Sequence, residues 1–180
     1  MLIHAEHSAL LHVDLQVKLI QAAHEGDLVL ANSLWLTKIA NILNVPVMAT
    51  VQYPAGLGMM PPEMSALIDT RNVVEKIHFS ALADGRLETL SAYPRPQIIL
   101  TGIESHVCVL QTALDLLSLG KDVFVVAEAV GSRKPSDREL ALDRMRSEGC
   151  TIISREMAAL EWLRQGGTDA FKTISKEYLR

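Results

Sequence analysis

The sequence predicts an α/β fold, a doubly wound, Rossmann-like three-layer α/β/α sandwich around a mainly parallel sheet. Three observations predict it. Apolar, β-branched bursts alternate with stretches of helical period. Several bursts are nearly continuous rather than alternating, as strands covered on both faces are. Aromatic residues are only 4% of a chain that is 49% hydrophobic, so the core is built of Leu, Ile, Val, Ala and Met. At 180 residues the length fits one domain, 1–180.

Taken in order, the bursts are SALLHVD (8–14), VPVMATVQ (45–52), NVVEKIHF (72–79), QIILTG (97–102), KDVFVVAEA (121–129) and CTIIS (150–154). Between the first two, residues 27–44 place Leu28, Leu34, Leu36, Ile39 and Leu43 on one broad face, with Asp27 as the expected N-cap. After the fourth, Val107, Leu110, Leu114 and Leu117 recur at spacings of three and four up to Gly120. Residues 136–149 open with Ser136 and Glu139 in a capping-box pattern and stop at Gly149. Residues 154–167 repeat the form with Ser154 as cap and Gly166 as terminator, and the tail puts Phe171, Ile174 and Tyr178 on one side of a last helix. That apolar terminal helix docks on the body or on a second subunit.

Charge excludes some functions. Seventeen basic and twenty-one acidic residues give −4 without a Lys/Arg block, so neither nucleic acid nor an anionic membrane is an expected partner. The N-terminus lacks a basic flank before an apolar core, and no run approaches the roughly 18 apolar residues of a membrane span. The expected compartment is the cytosol, where Cys108 and Cys150 are thiols.

In an open parallel sheet, ligands bind beyond the carboxyl ends of the strands, near the reversal of winding. Three residues of complementary chemistry fall at that rim: Asp14 after the first strand, Lys76 late in the third, and Cys108 just past the TGIESH turn. A thiol at a helix N-terminus has its thiolate favoured by free N–H groups and the dipole. Those N–H groups also suit an oxyanion. Asp14 then serves as general acid/base, and Lys76 keeps it ionised. Each residue also has a plain structural use, as packing thiol, turn cap and solvated edge lysine.

The segments HVDLQ, TVQYPAGLG, EKIHFSAL and TGIESHVCVLQTALDLLSLGKDVFVVAEAVGSR resemble the isochorismatase-like cysteine hydrolase superfamily, in its isochorismatase domain-containing branch. The resemblance runs from about residue 8 to about residue 165 and is most specific from the glycine to the cysteine. It implies a six-stranded parallel sheet, an Asp14, Lys76, Cys108 catalytic set, and a cis peptide between Ile103 and Glu104. It further implies attack on an amide-like C–N carbonyl through a thioester, with the backbone N–H groups of Val107 and Cys108 as oxyanion donors. Nicotinamidases of the superfamily hold a metal through an Asp and His cluster after the second strand. The stretch TVQYPAGLGMMPPEM has neither residue, so no metal and no other cofactor is expected. Isochorismate-cleaving relatives lack the Cys, which points away from that reaction.

Gln16, Gln52, Tyr53, Phe79, Ser80 and Glu104 flank this set as candidate substrate-lining residues for a small molecule. His106 is a candidate base for Cys108, though a residue two positions before the thiol on a tight turn commonly points elsewhere. The 54–64 loop, with Gly56, Gly58, Met59 and Met60, suits a lid or an intersubunit contact, in keeping with a homo-oligomer. Two other functions fit the same residues: a thiol-based redox sensor, and a binding or assembly module with a vestigial site.

Overall fold

Strand β1 (Ser8–Val13) is buried along its whole length and forms the middle of the molecule in the computed structural model, which describes residues 1–179. Five further strands complete the sheet: β2 (Val47–Gln52), β3 (Val73–Lys76), β4 (Gln97–Ile103), β5 (Asp122–Gly131) and β6 (Thr151–Ile153). Their order is β3-β2-β1-β4-β5-β6, every neighbouring pair parallel. The helices are α1 (Val17–Ala22), α2 (Gly26–Ile42), α3 (Pro54–Leu57), α4 (Pro62–Ser65), α5 (Leu110–Ser118), α6 (Pro135–Glu148), α7 (Arg155–Leu163) and α8 (Asp169–Tyr178).

The near-continuous hydrophobicity of the strands follows from helices on both faces. Leu10, Ala49, Ile99 and Phe124 pack with Leu36 and Ile39 of α2, Ala158 and Trp162 of α7, and Ile174 of α8. Leu11, Val13, Leu100 and Val125 pack the other way, with Ala113 and Leu116 of α5 and Ala141 and Met145 of α6. Truncating a fully buried residue such as Leu100 to Ala costs about 2–5 kcal/mol.

Winding reverses between β1 and β4. Crossovers from β1 and β2 step one way across the sheet and those from β4 and β5 the other, so the carboxyl ends of β1 and β4 are where an open parallel sheet binds its ligand. Gly102 makes that juncture possible. It faces Val13 in register with φ +134°, and a Cβ there would lie 2.0 Å from the Val13 carbonyl oxygen. Only glycine admits β1 so close to the end of β4.

Local signals decided several boundaries. Ser154 accepts from the Met157 N–H and caps α7, and Gly149 closes α6 in the left-handed region, both as expected. Four expectations are corrected. Helix α2 starts at Gly26 after Glu25 rather than after Asp27, which lies in the first turn. Helix α6 begins at Pro135 without a side-chain cap, because a proline at the first position is preset in φ and lacks an N–H that would go unpaired. Helix α7 ends at Leu163, not near Gly166, as Arg164 turns to a positive φ and donates to the Ile3 carbonyl. The expected strand over 72–79 also stops at Lys76, and residues 77–80 turn away from the sheet.

Candidate functional site

Asp14 follows β1 with φ 52°, a left-handed conformation that few non-glycine residues adopt. The Thr50 hydroxyl at the end of β2 donates to Asp14 Oδ1 at 2.7 Å, and the Asp14 N–H donates to the Thr50 carbonyl at 3.1 Å. Asp14 Oδ2 lies 2.7 Å from Lys76 Nζ, both side chains being at most 1% exposed. Among the described residues Oδ2 receives no well-directed hydrogen bond, so its short contact with the ammonium is charge-based and a lone pair stays open.

Lys76 closes β3 and reaches back across the end of β2. Its Nζ donates to Gln52 Oε1 at 2.7 Å and to the carbonyls of His78 and Phe79 at 3.1 and 3.0 Å. With Asp14, four oxygens surround one nitrogen, which satisfies a buried cation on every side.

Cys108 comes from the third direction. The peptide from Ile103 to Glu104 is cis, and the chain then makes one π-helical turn, Ser105–Val109, before α5. The thiol is 6% exposed, within hydrogen-bonding reach of both Asp14 and Lys76. Burial first, then the Asp14 charge, push the thiol up to about 12, with Lys76 acting in the opposite sense. This corrects the expectation of a thiol lowered by a helix N-terminus. The cysteine is inside a buried π turn against a carboxylate, and burial and the carboxylate both raise the thiol. The resting residue is therefore a neutral thiol. Cys150, also pushed up to about 12 by burial, is the other free cysteine.

The structure thus brings Asp14, Lys76 and Cys108 together, and it sorts the flanking candidates. Tyr53 and Phe79 are about half exposed at 54% and 53%. Tyr53 lines a cavity of about 300 Å³ together with Lys76, Glu75, Asp84 and Arg86. Glu104 pairs with Arg133 at 2.8 Å. Ser80 is buried, donates to Asp115 of α5 and receives the Leu82 N–H in a local turn. Gln16 and Gln52 are buried and both are bonded within the protein. Gln16 Nε2 donates to the carbonyls of Gln52 and Gly58, and its Oε1 accepts the Gln52 N–H. His106 Nδ1 meets the Ser132 hydroxyl at 2.9 Å and its Nε2 faces Asp137 at 3.9 Å, so it turns to the α6 side instead of the thiol. Val107 donates its N–H to the Glu104 carbonyl at 3.1 Å.

Two buried residues carry chemistry that sequence reasoning passed over. Thr50 gave no signal because threonine is an ordinary strand residue. His12, two residues before Asp14, is fully buried between Thr101 Oγ1 at 2.5 Å and Thr37 Oγ1 at 2.7 Å. The Thr37 hydroxyl gives its hydrogen to the Ser33 carbonyl, so His12 Nε2 carries the ring proton and Nδ1 accepts from Thr101. Burial pushes this histidine down to about 3.

Among the described residues no three His, Cys, Asp or Glu side chains gather as metal ligands, and no helix is long and apolar enough to cross a membrane.

The model of the isochorismatase domain matches residues 8–157. Isochorismatase domain-containing protein 2 of Danio rerio is 36% identical over 170 residues, covering 94% of this chain and 85% of its own. The solved MAR1 ribonuclease of Caenorhabditis elegans superposes with a TM-score of 0.92 at 34% identity, over 100% of this chain and 93% of that one. The YcaC gene product of Escherichia coli, an octameric hydrolase of unknown specificity, gives 0.89 at 26% identity, over 97% and 89%.

Proposed function

The chain belongs to the isochorismatase family, and from that premise we propose that it is a metal-independent cysteine hydrolase cleaving the C–N bond of a small amide-like substrate. One observation carries the reading: a buried Asp14 and Lys76 pair, 2.7 Å apart, meets a neutral Cys108 thiol beside the reversal of winding.

The chemistry follows from the protonation state. A thiol held near 12 is a weak nucleophile at neutral pH, so its proton must leave as sulfur bonds to carbon. Asp14 Oδ2, with an open lone pair and Lys76 beside it, accepts that proton. The sulfur attacks the carbonyl carbon, and the electron pair of the carbonyl moves to oxygen against the N–H of Cys108. The N–H of Val107 joins as second donor by sharing its bond to Glu104. Collapse expels the amine with the proton from Asp14 and leaves a thioester. Asp14 then draws a proton from a water whose oxygen attacks the thioester carbon, and collapse breaks the C–S bond, with the proton on Asp14 passing to sulfur, which releases the acid and restores the thiol. Tyr53, Phe79 and Glu104 line the approach, and Gln16, Gln52 and Ser80 support the walls behind them.

The octameric relative supports assembly of this chain into a homo-oligomer, with the 54–64 loop and the exposed Met59 as contact candidates. Ammonia release from a panel of primary amides, carbamoyl amides and nicotinamide analogues tests the reaction. Wild type turns over at least one compound and Cys108→Ala none, with its melting temperature kept; equal turnover by Cys108→Ala removes the cysteine from the mechanism.

The ribonuclease relative supports a second reading, hydrolysis of RNA. A net charge of −4 is a poor match to a polyanion. RNA cleaved by the wild type and spared by Asp14→Asn would favour it over amide hydrolysis.

A further inference from the structure

We propose that Gln52 is a positioning residue that acts on the reactive thiol through Lys76, an inference that rests on the cysteine-hydrolase reading of the site. Gln52 sits at the last position of β2, opposite Lys76 in register, and is 8% exposed. Its Oε1 accepts from Lys76 Nζ at 2.7 Å while its Nε2 donates to the Ile77 carbonyl at 2.6 Å. One side-chain amide thus grips the ammonium and the backbone immediately beyond β3.

The grip is itself anchored. The Gln16 amide pairs with the backbone of Gln52 in both directions, Nε2 to the carbonyl at 2.9 Å and Oε1 from the N–H at 2.7 Å, as a further rung of a parallel ladder would. The same Nε2 donates to Gly58 at 2.6 Å. Two glutamines therefore tie the carboxyl ends of β1, β2 and β3 where Asp14 and Tyr53 leave the sheet in left-handed conformations. The ladder fixes the backbones of Asp14 and Lys76, through the Asp14 N–H to Thr50 and the Tyr53 N–H to Lys76, and the Gln52 amide adds a constraint on the ammonium at the far end of the lysine side chain. Neither Nε2 hydrogen of Gln16 remains for a ligand, and both ends of the Gln52 amide are engaged, so a substrate contact would have to break what holds the cation.

The alkylation rate of Cys108 against pH, in a Cys150→Ser background, tests the role without any substrate. Gln52→Met keeps length and apolar volume but removes the acceptor. It leaves Lys76 less well fixed beside the thiol, and the alkylation limb moves up, read as about three- to tenfold slower alkylation at a fixed pH below it. Introduced into an Asp14→Asn/Lys76→Met background, in which both charges are gone and no lone buried ion threatens folding, the same substitution moves the limb no further. An unmoved limb in the parent background, or an equal shift in both, overturns the proposal. Because no turnover is measured, absence of amide hydrolysis in the wild type would sink the hydrolase reading and leave this result standing or falling separately.

Discussion

Asp14→Asn and Lys76→Met should displace the Cys108 titration in opposite directions. In the wild type the thiol is carried from 9.0 to about 12, which corresponds to about 4 kcal/mol favouring the neutral form. At pH 8 about one molecule in ten thousand is a thiolate, about a thousandfold fewer than for an unperturbed thiol. Burial is the largest cause and survives both substitutions; the Asp14 charge and the Lys76 charge act oppositely on what remains. A neighbouring charge typically moves such a group by about one to three pH units. Asp14→Asn therefore moves the limb down and Lys76→Met moves it up. Removing one member of a buried pair also costs about 3–5 kcal/mol, lessened at Asp14→Asn because Gln52 and two carbonyls still hold the ammonium. Iodoacetamide rates compared at fixed pH between 7 and about 11, in a Cys150→Ser background with folding checked by circular dichroism, read each displacement as a faster or slower alkylation than wild type. Displacement of both variants in the same direction, or a wild-type limb near 8.5, would refute the reasoning.

Two further outcomes are expected. His12 is held neutral down to about pH 3 against an ordinary 6.5, so its contribution is complete above 6.5 and is lost as pH falls from there toward 3. By pH 5 the wild type should lose about 2 kcal/mol of unfolding free energy from this residue alone, and urea titrations of wild type and His12→Asn at pH 7 and 5 should converge by that amount; parallel losses would remove His12 from the acid response. Gly102→Ala sets a Cβ 2.0 Å from the Val13 carbonyl and should yield little folded protein, as a urea midpoint or its absence will show; a wild-type midpoint would mean that β1 and β4 can separate freely.

The sheet was legible because each strand carries its own evidence: apolar runs such as QIILTG need no partner to announce a two-sided burial. Capping was legible where the side chain acts locally, as at Ser154, and failed at Ser136, where a neighbouring proline started the helix two residues earlier, with Lys134 at the cap position. The end of β3 was misplaced because His78 and Phe79 continue a strand-like sequence while their carbonyls turn to the Lys76 ammonium, an event set by tertiary contact. Asp14, Lys76 and Cys108 were found from the rule that chemistry gathers at strand carboxyl ends. The environment of the thiol was not, since a position after a turn suggests a helix dipole but says nothing of a π turn or of a carboxylate brought in from 94 residues away. For the same reason the glutamines looked like pocket residues: Gln16 and Gln52 are 36 apart in sequence, and only the register of β1 against β2 makes them partners.

The central claim is that Cys108 becomes acylated during turnover. Acid quenching of the wild type in mid-reaction with a substrate from the amide panel, followed by peptide mass spectrometry, tests it most directly. A Cys108 peptide heavier by the acyl group is expected, with an unmodified Cys150 peptide and loss of both adduct and ammonia in Asp14→Asn. Sustained ammonia release with no adduct on Cys108, at a rate unchanged in Cys108→Ala, would contradict it.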